Sequence, residues 1–193
     1  MVRKPRSLVG PMLAATLALG TAQAWAQDAG SSVRARLIVP GVRVGQIALG
    51  LEPAVLERRL GPPTYSDAAM GKVWNIWRSK SASVGEGDTL SVYSSRGTDD
   101  HVRVRLIRVT SPFFHTAGGL SMRSPWSLIR RRSPHLRRLD LGNSRVKGAI
   151  YDDVAGGIAF EIQGPGSKRA RCVSITVHER GADANAPYLS RPQ

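Results

Sequence analysis

The sequence predicts an α+β protein made of two tandem repeats, each a short helix followed by a three- to four-stranded antiparallel sheet. Residues 47–63 read IALGLEPAVLERRLGPP, and a weaker copy, LSMRSPWSLIRRRSP, occupies residues 120–134. Strand-like sequence follows both segments, with apolar residues at alternate positions, as in a half-buried strand. We therefore predict a first repeat over residues 33–116 and a second over residues 117–180.

Each repeat contains one predicted helix with a start signal and a stop signal. Pro53 suits the first turn of the first helix, and Gly61, followed by two prolines, ends it. In the second helix Ser124 is the predicted N-cap, Pro125 lies in the first turn and Ser133 precedes a closing proline. The apolar residues of the two copies align at one constant offset: Ile47 with Leu120, Leu49 with Met122, Val55 with Leu128, and Leu56 with Ile129.

The other predicted elements are strands, identified by apolar residues at every second position. In one of them the apolar phase changes near Leu106, which predicts a β-bulge there. The loops between them are rich in Gly, Ser and Asp, as expected of hairpin connections. The predicted strands cover residues 33–39, 72–79, 89–95, 101–110, 146–151, 156–163 and 169–179.

The first residues, 1–26, form a predicted secretory signal. Positive charges near the start precede an apolar run, and Ala24 and Ala26 fit the small-x-small pattern of a cleavage site. The apolar run is shorter than the roughly 20 residues that a membrane span needs. We therefore expect a bacterial protein that is periplasmic or secreted. Residues 27–32 and 181–193 are a predicted disordered lead-in and tail.

The chain is strongly basic, with 28 Lys and Arg against 14 Asp and Glu and a formal net charge of +14. In the expected compartment the anionic partners are an acidic envelope or extracellular protein, phospholipid, lipopolysaccharide or peptidoglycan, and no nucleic acid is expected. Most of the positive residues are Arg. Their abundance is explained either by a function in anion binding or by the coding bias of a GC-rich genome, and both explanations stay open.

The densest basic cluster lies at the end of the second predicted helix and just beyond it. Arginines in a last helical turn complement the negative end of the helix dipole, and Arg58 and Arg59 hold the same place in the first helix. The second cluster is larger than that role requires and has a tryptophan nearby. We therefore predict a binding site for an anionic partner, formed by Trp126, Arg130, Arg131, Arg132, Arg137 and Arg138.

No catalytic residue, metal site or cofactor is predicted. Cys172 is the single cysteine, so no intramolecular disulfide can form. Residues 119–123, GLSMR, lack the final glycine of the G-x-S-x-G nucleophile motif because Arg123 takes its place. The histidines lack metal-ligand spacing, and the paired aspartates suit turns. The histidines are His101, His115, His135 and His178, and the paired aspartates are Asp99 with Asp100 and Asp152 with Asp153.

The pattern resembles the helix-plus-antiparallel-sheet modules of the β-lactamase inhibitor protein and of SmpA/OmlA-type outer-membrane assembly lipoproteins. The matching segments are I-x-L-G at residues 47–50, the helix stop L-G-P-P at residues 60–63 and G-I-A-F-E-I at residues 157–162. The resemblance implies a non-catalytic module that binds another envelope protein. Two alternatives remain: a basic protein that binds anionic envelope components, and an envelope hydrolase whose His and carboxylate converge in the fold.

Overall fold

The described part of the chain has an α+β fold with mostly antiparallel strands, as predicted. The predicted signal and lead-in, all but the first two residues of the predicted tail, and residues 80–87 and 141–147 lie outside the described residues. In the described part, no helix combines the length and apolar character needed to cross a membrane. The computed structural model describes residues 33–79, 88–140 and 148–182.

After a helical segment at residues 33–36, two short helices, α1 (Pro53–Leu60) and α2 (Trp126–Arg132), alternate with the strands. Gly61 ends α1 with a positive φ of 76°, which favours glycine, and its N–H donates to Glu57 O, as its stop signal predicts. The strands, in chain order, are β1 (Leu37–Val39), β2 (Arg43–Val44), β3 (Ile47–Ala48), β4 (Tyr65–Ala69), β5 (Lys72–Arg78), β6 (Thr89–Arg96), β7 (Val102–Val109), β8 (His115–Thr116), β9 (Arg137–Arg138), β10 (Ala149–Asp153), β11 (Ile158–Gln163) and β12 (Arg171–His178).

Most of the strands form one antiparallel sheet in the order β4-β5-β6-β7-β12-β11-β10-β9. β4 to β7 follow α1 along the chain, and β9 to β12 follow α2. The two groups meet where β7 pairs with β12, for example Ile107 with Val177. A small second sheet has the order β3-β2-β1-β8, and within it β1 and β8 are parallel. The strands after both helices therefore belong to one continuous sheet.

The hydrophobic core lies where the helices and the small sheet meet the central strands. Leu56 of α1 and Ile129 of α2 are fully buried in one apolar cluster that also contains Ile107 and Val177 of the central strands. Helices of this length are unstable alone, so their order depends on that packing. The helical spacing of Leu56 and Ile129 with their apolar neighbours is what directs one side of each helix to the sheet.

The β-bulge predicted near Leu106 is present. Tyr93 pairs with Leu106, whereas Ser94 pairs with Val104, so Arg105 is an extra residue in β7. The extra residue shifts the alternation of buried side chains from one phase to the other, because side chains in a strand alternate between faces. The phase change seen in the sequence therefore has this structural cause.

The predicted strand over residues 33–39 is only partly correct. Residues 33–36 are helical, and only Leu37–Val39 is extended. The ladder of β1 with β8 begins at Leu37, and no neighbouring strand continues it towards the amino terminus. An extended segment without a partner leaves its backbone groups unpaired, whereas a helical turn satisfies part of them locally.

Ser124 is not the N-cap of α2. The N-cap is Pro125, and the helix begins at Trp126. The hydroxyl oxygen of Ser124 instead accepts from the backbone N–H of Ser121 at 2.9 Å, and its carbonyl accepts from Cys172 N–H at 3.0 Å. Ser124 therefore ties the start of the helix to the start of β12, a long-range role that local sequence does not indicate.

Truncation of Leu56 should separate the packing of α1 from its intrinsic stability. We expect Leu56→Ala to lower the free energy of unfolding by about 3 kcal/mol, because it opens a cavity in a closed core. Leu60→Ala removes the same atoms from the same helix at a position that is 39% exposed and should cost less than about 1 kcal/mol. Urea unfolding of both variants measures this. Equal losses would contradict the packing described here.

Candidate functional site

The predicted arginine site is divided between a helix end and a sheet edge. Arg130, Arg131 and Arg132 form the last turn of α2, and Arg137 and Arg138 form β9, the edge strand of the large sheet. All five are exposed. Adjacent residues of a strand point to opposite faces, so Arg137 and Arg138 cannot both turn towards the helix. One contact surface therefore cannot use the whole cluster equally.

Trp126 supports the cluster from within the core. It is only 8% exposed, and its ring packs on Tyr151 with centroids 4.1 Å apart. The guanidinium of Arg130 lies over the same ring, 5.5 Å from its centroid, within the range of a cation–π interaction. Arg132 turns back and donates from Nη1 to Gly118 O. Trp126 thus positions Arg130, and Arg132 braces the loop before the helix.

The charge of this cluster is not neutralised by the described part of the chain. The ion pairs found there join other residues, and no Asp or Glu of that part pairs with Arg130, Arg131, Arg137 or Arg138. Unpaired guanidinium groups favour contact with carboxylates and phosphates because their planar donors match two anionic oxygens. The cluster is therefore available to an anionic partner.

A buried His–Asp pair, a feature that the sequence did not reveal, includes Asp152 of β10, whose ladder partner on β9 is Arg137 of the arginine cluster. His178 Nε2 lies 2.8 Å from Asp152 Oδ1, and both side chains are buried. Burial alone would lower the pKa of His178, but the hydrogen bond and the charge of Asp152 outweigh it and raise that pKa. The side chains come from β12 and β10 and meet diagonally across β11, where Ala159 pairs with Asp152 on one side and with Thr176 on the other.

This pair lacks the geometry of a catalytic base. His178 Nδ1 lies 2.9 Å from Glu179 O, and a carbonyl oxygen only accepts, so Nδ1 carries a proton. Nε2 is occupied by Asp152. With both ring nitrogens engaged, His178 has no nitrogen left to take a proton from a nucleophile. The pair therefore acts as a buried link between strands.

A second buried polar network crosses the centre of the same sheet. Arg108 of β7 donates through Nε to Ser174 Oγ at 3.0 Å and through Nη2 to Glu161 Oε2. Ser174 Oγ in turn donates to Glu161 Oε2 at 2.8 Å. A buried guanidinium is tolerated only when it is paired and hydrogen-bonded. The network therefore fixes β7, β12 and β11 against one another.

The remaining reactive groups have structural roles. Burial raises the pKa of the Cys172 thiol to about 12, so no thiolate nucleophile forms there near neutral pH. Ser121 Oγ donates to Met122 O. Asp99 accepts from Arg103 and from His101 N–H, which hold its pKa below the usual value, as suits a turn residue. Over the described ranges, no group of three or more His, Cys, Asp or Glu residues is arranged to hold a metal ion.

The most exposed apolar side chain of the described chain belongs to a hairpin that the sequence did not predict. β4 is an edge strand whose residues are all exposed, and a two-residue turn, Met70 and Gly71, joins it to β5. Met70 is 97% exposed and has φ of 52°. The sequence of β4, YSDAA, contains one strand-forming residue, Tyr65, and no alternation of apolar and polar residues that would predict a strand.

No protein-family model and no curated protein matches the chain. Among solved structures it is similar to one described as the uncharacterized protein yfeY from Escherichia coli. The two share 10% sequence identity over 75% of this chain and 95% of that chain, with a TM-score of 0.34. A TM-score this low supports no inference about fold or function. The resemblance to the β-lactamase inhibitor protein and the assembly lipoproteins stays a prediction.

The His178–Asp152 pair predicts a pH dependence of stability with a defined sign. Because the folded pKa of His178 is raised, its contribution is complete below the unfolded pKa of about 6.5 and is lost as pH rises through the folded pKa. Asp152→Asn should therefore cost about 3 kcal/mol at pH 6 and clearly less at pH 9. Urea unfolding of both proteins at each pH measures this. A cost that is constant or larger at pH 9 would refute the ion pair.

Proposed function

We propose that this protein is a non-catalytic interaction module, exported to the bacterial periplasm or secreted, that binds another envelope protein. The single observation that carries this proposal is the β4–β5 hairpin, which presents Met70 to solvent at an open sheet edge. The signal-like pattern of residues 1–26 supports export. The engagement of both ring nitrogens of His178 favours a binding role over the hydrolase alternative.

The backbone conformation of Met70 is strained, and the same turn would form without this strain if its first residue were Asn or Gly. A two-residue hairpin turn in which both residues have positive φ favours Asn or Gly at its first position, whereas other residues pay about 1–2 kcal/mol there. Met70 has φ of 52° and Gly71 has φ of 73°. Flexible methionine side chains adapt well to apolar sites on partners. The strained backbone and the exposed apolar side chain of Met70 together support its role as a contact residue.

The edge strand beside this tip adds a second means of contact. β4 pairs with β5 on one side, and in the large sheet no described strand pairs with its other side. Tyr65, at the start of β4, is 48% exposed. An extended segment of a partner can add to such an edge through backbone hydrogen bonds, while side chains such as Tyr65 and Met70 give specificity.

We also propose that the chain is a duplicated module, with α1 and β4 to β7 as one copy and α2 and β9 to β12 as the other. The two copies have the same element order, and their last strands lie side by side at the centre of the sheet. The aligned residues Ile47 and Leu120 are both buried, and so are Leu56 and Ile129. Matching burial at matched positions supports the predicted alignment.

Backbone hydrogen bonds support the same correspondence. Gly50 N–H donates to the carbonyl of Val104, and Val104 N–H donates to Leu51 O, both at 2.8 Å. In the second half, Arg123 N–H donates to Cys172 O at 2.9 Å, and Cys172 N–H donates to Ser124 O at 3.0 Å. The segment before each helix is thus joined in the same way to the last strand of its own half.

A second candidate function is binding of anionic envelope components, namely lipopolysaccharide, phospholipid or peptidoglycan. The observation that favours it is the exposed arginine cluster, in which Arg130, Arg131, Arg137 and Arg138 pair with no carboxylate of the described chain. Binding of this kind depends steeply on salt because exposed charges are screened at physiological ionic strength. Salt dependence therefore distinguishes it from the apolar contact proposed at Met70.

For the second candidate, the variant Arg131→Gln/Arg132→Gln/Arg137→Gln should weaken binding to vesicles that contain anionic phospholipid. Loss of about 1 kcal/mol per arginine is expected near such a surface. The matched control is Arg34→Gln/Arg58→Gln/Arg59→Gln, which removes the same charge from exposed positions elsewhere. Vesicle flotation at about 50 mM and about 300 mM salt compares the binding of the two variants. Equal losses of vesicle binding in both variants would show that binding depends on net charge alone and would contradict a dedicated site.

For the proposed interaction module, Met70→Asn should stabilise the protein and weaken its contact with a partner. Asn tolerates positive φ, so the free energy of unfolding should rise by roughly 0.5–1 kcal/mol. A photo-crosslinking residue introduced at Tyr65 should trap an envelope protein in the otherwise wild-type chain and trap much less of it with Asn at position 70. The same crosslinker at Val154, exposed in another turn, is the control.

Either of two results would contradict this proposal. If Met70→Asn leaves stability unchanged or lowers it, Met70 is not strained. If the variant is more stable but the crosslinked product forms as before, Met70 does not contribute to partner binding. Because stability and contact are predicted to change in opposite directions, simple unfolding of the variant cannot imitate the expected result.

A further inference from the structure

A pocket of about 370 Å³ lies beside the start of β12, and the geometry points to it as a binding site for a phosphate ester. Its basic lining residues are Arg123 and Arg171. Neither makes an ion pair with a described carboxylate. This site differs from the predicted arginine cluster, because Arg123 precedes α2 whereas the cluster begins in the last turn of that helix, roughly 10 Å away along its axis. The other lining residues are Met122, Gln163, Cys172 and Val173.

The backbone of Arg123 is held in a conformation that favours glycine. Its φ is 71°, and Gly50, which makes the equivalent backbone hydrogen bonds in the first half, has φ of 79°. An arginine at a left-handed position is strained, since its Cβ crowds the backbone there. At the equivalent position of the first half, the same backbone hydrogen bonds form with glycine, Gly50. The fold therefore does not require an arginine at position 123, which favours a functional role for Arg123.

The second arginine shows the same difference between the two halves. Arg103 and Arg171 each precede the strand residue, Val104 or Cys172, that bonds to the segment before the helix. In the first half Arg103 forms an ion pair with Asp99 at 2.8 Å. Arg171 has no such carboxylate in the described chain. The position is thus neutralised in one half and left positive in the other.

A bulge helps to form this pocket. Glu161 pairs with Ser174 and Ile162 pairs with Cys172, so Val173 is an extra residue in β12. Bulges redirect side chains and often lie beside binding sites. Val173 lines the pocket together with Gln163 and the two arginines. The equivalent extra residue of the first half, Arg105, instead pairs with Glu179 at 2.7 Å.

The chemistry of the lining defines the ligand class. Two guanidinium groups match the oxygens of a doubly charged phosphate better than the single charge of a carboxylate. The amide of Gln163 supplies a further donor, and Met122 and Val173 supply an apolar wall. A phosphate monoester with a small apolar alcohol fits this combination. Cys172 forms no covalent bond to it, because burial raises the pKa of its thiol to about 12.

The test is titration calorimetry of the full chain at fixed ionic strength with hexyl phosphate, inorganic phosphate and hexanoate as separate ligands. We expect hexyl phosphate to bind more tightly than either of the other probes. Arg123→Gly and Arg171→Gln should each weaken its binding at least about tenfold, as expected for loss of a charge-assisted contact. Arg103→Gln, which removes the same charge from the equivalent position, should change affinity less than about twofold.

Arg123→Gly also provides a readout that excludes unfolding, because glycine suits the left-handed position and the melting temperature should hold or rise. Vesicles containing phosphatidic acid distinguish a lipid headgroup from a free phosphate ester. If Arg123→Gly weakens binding to these vesicles, the ligand is the headgroup. If vesicle binding is unchanged by Arg123→Gly while the wild-type protein binds hexyl phosphate, the ligand is the free ester. Equal affinity for hexyl phosphate in wild type, Arg123→Gly and Arg103→Gln would overturn the site. None of these results depends on the Met70 contact.

Discussion

The antiparallel pairing of β7 with β12 is the contact on which the rest of the structure depends. Four residues of each strand pair there, including Ile107 with Val177, and the strands that follow the two helices become one sheet. Arg108 strengthens this junction, because it reaches from β7 to Ser174 and Glu161 on the neighbouring strands. Without the junction, neither helix would have a sheet wide enough to bury its apolar side, and helices this short do not persist alone.

Much of the fold was predictable because it depends on local chemistry. Pro53 and Gly61 bound α1 as their backbone preferences require, and the change of apolar phase near Leu106 marks a real bulge. The failures have long-range causes. Ser124 binds the start of β12 instead of capping a helix, and β4 forms without an alternating apolar pattern because β5 offers it a ladder.

The candidate sites divide in the same way. The arginine cluster was visible as charge density, yet burial of Trp126 and the turn of Arg132 towards Gly118 depend on packing. No sequence pattern indicated the strain at Met70 and Arg123, since positive φ in a residue other than glycine follows from the turn or ladder around it. Strain identifies these positions because the same turns form at lower cost with other residues.

The central claim is that this protein binds a discrete envelope partner through an apolar contact, and salt dependence of capture tests it most directly. The immobilised protein would be incubated with envelope extract at low and high salt, and the retained material would be analysed for protein and lipid. We expect one discrete protein to be retained at high salt, since apolar contacts are not screened. Recovery only of lipid, lipopolysaccharide or a heterogeneous mixture that is lost at high salt would contradict the claim.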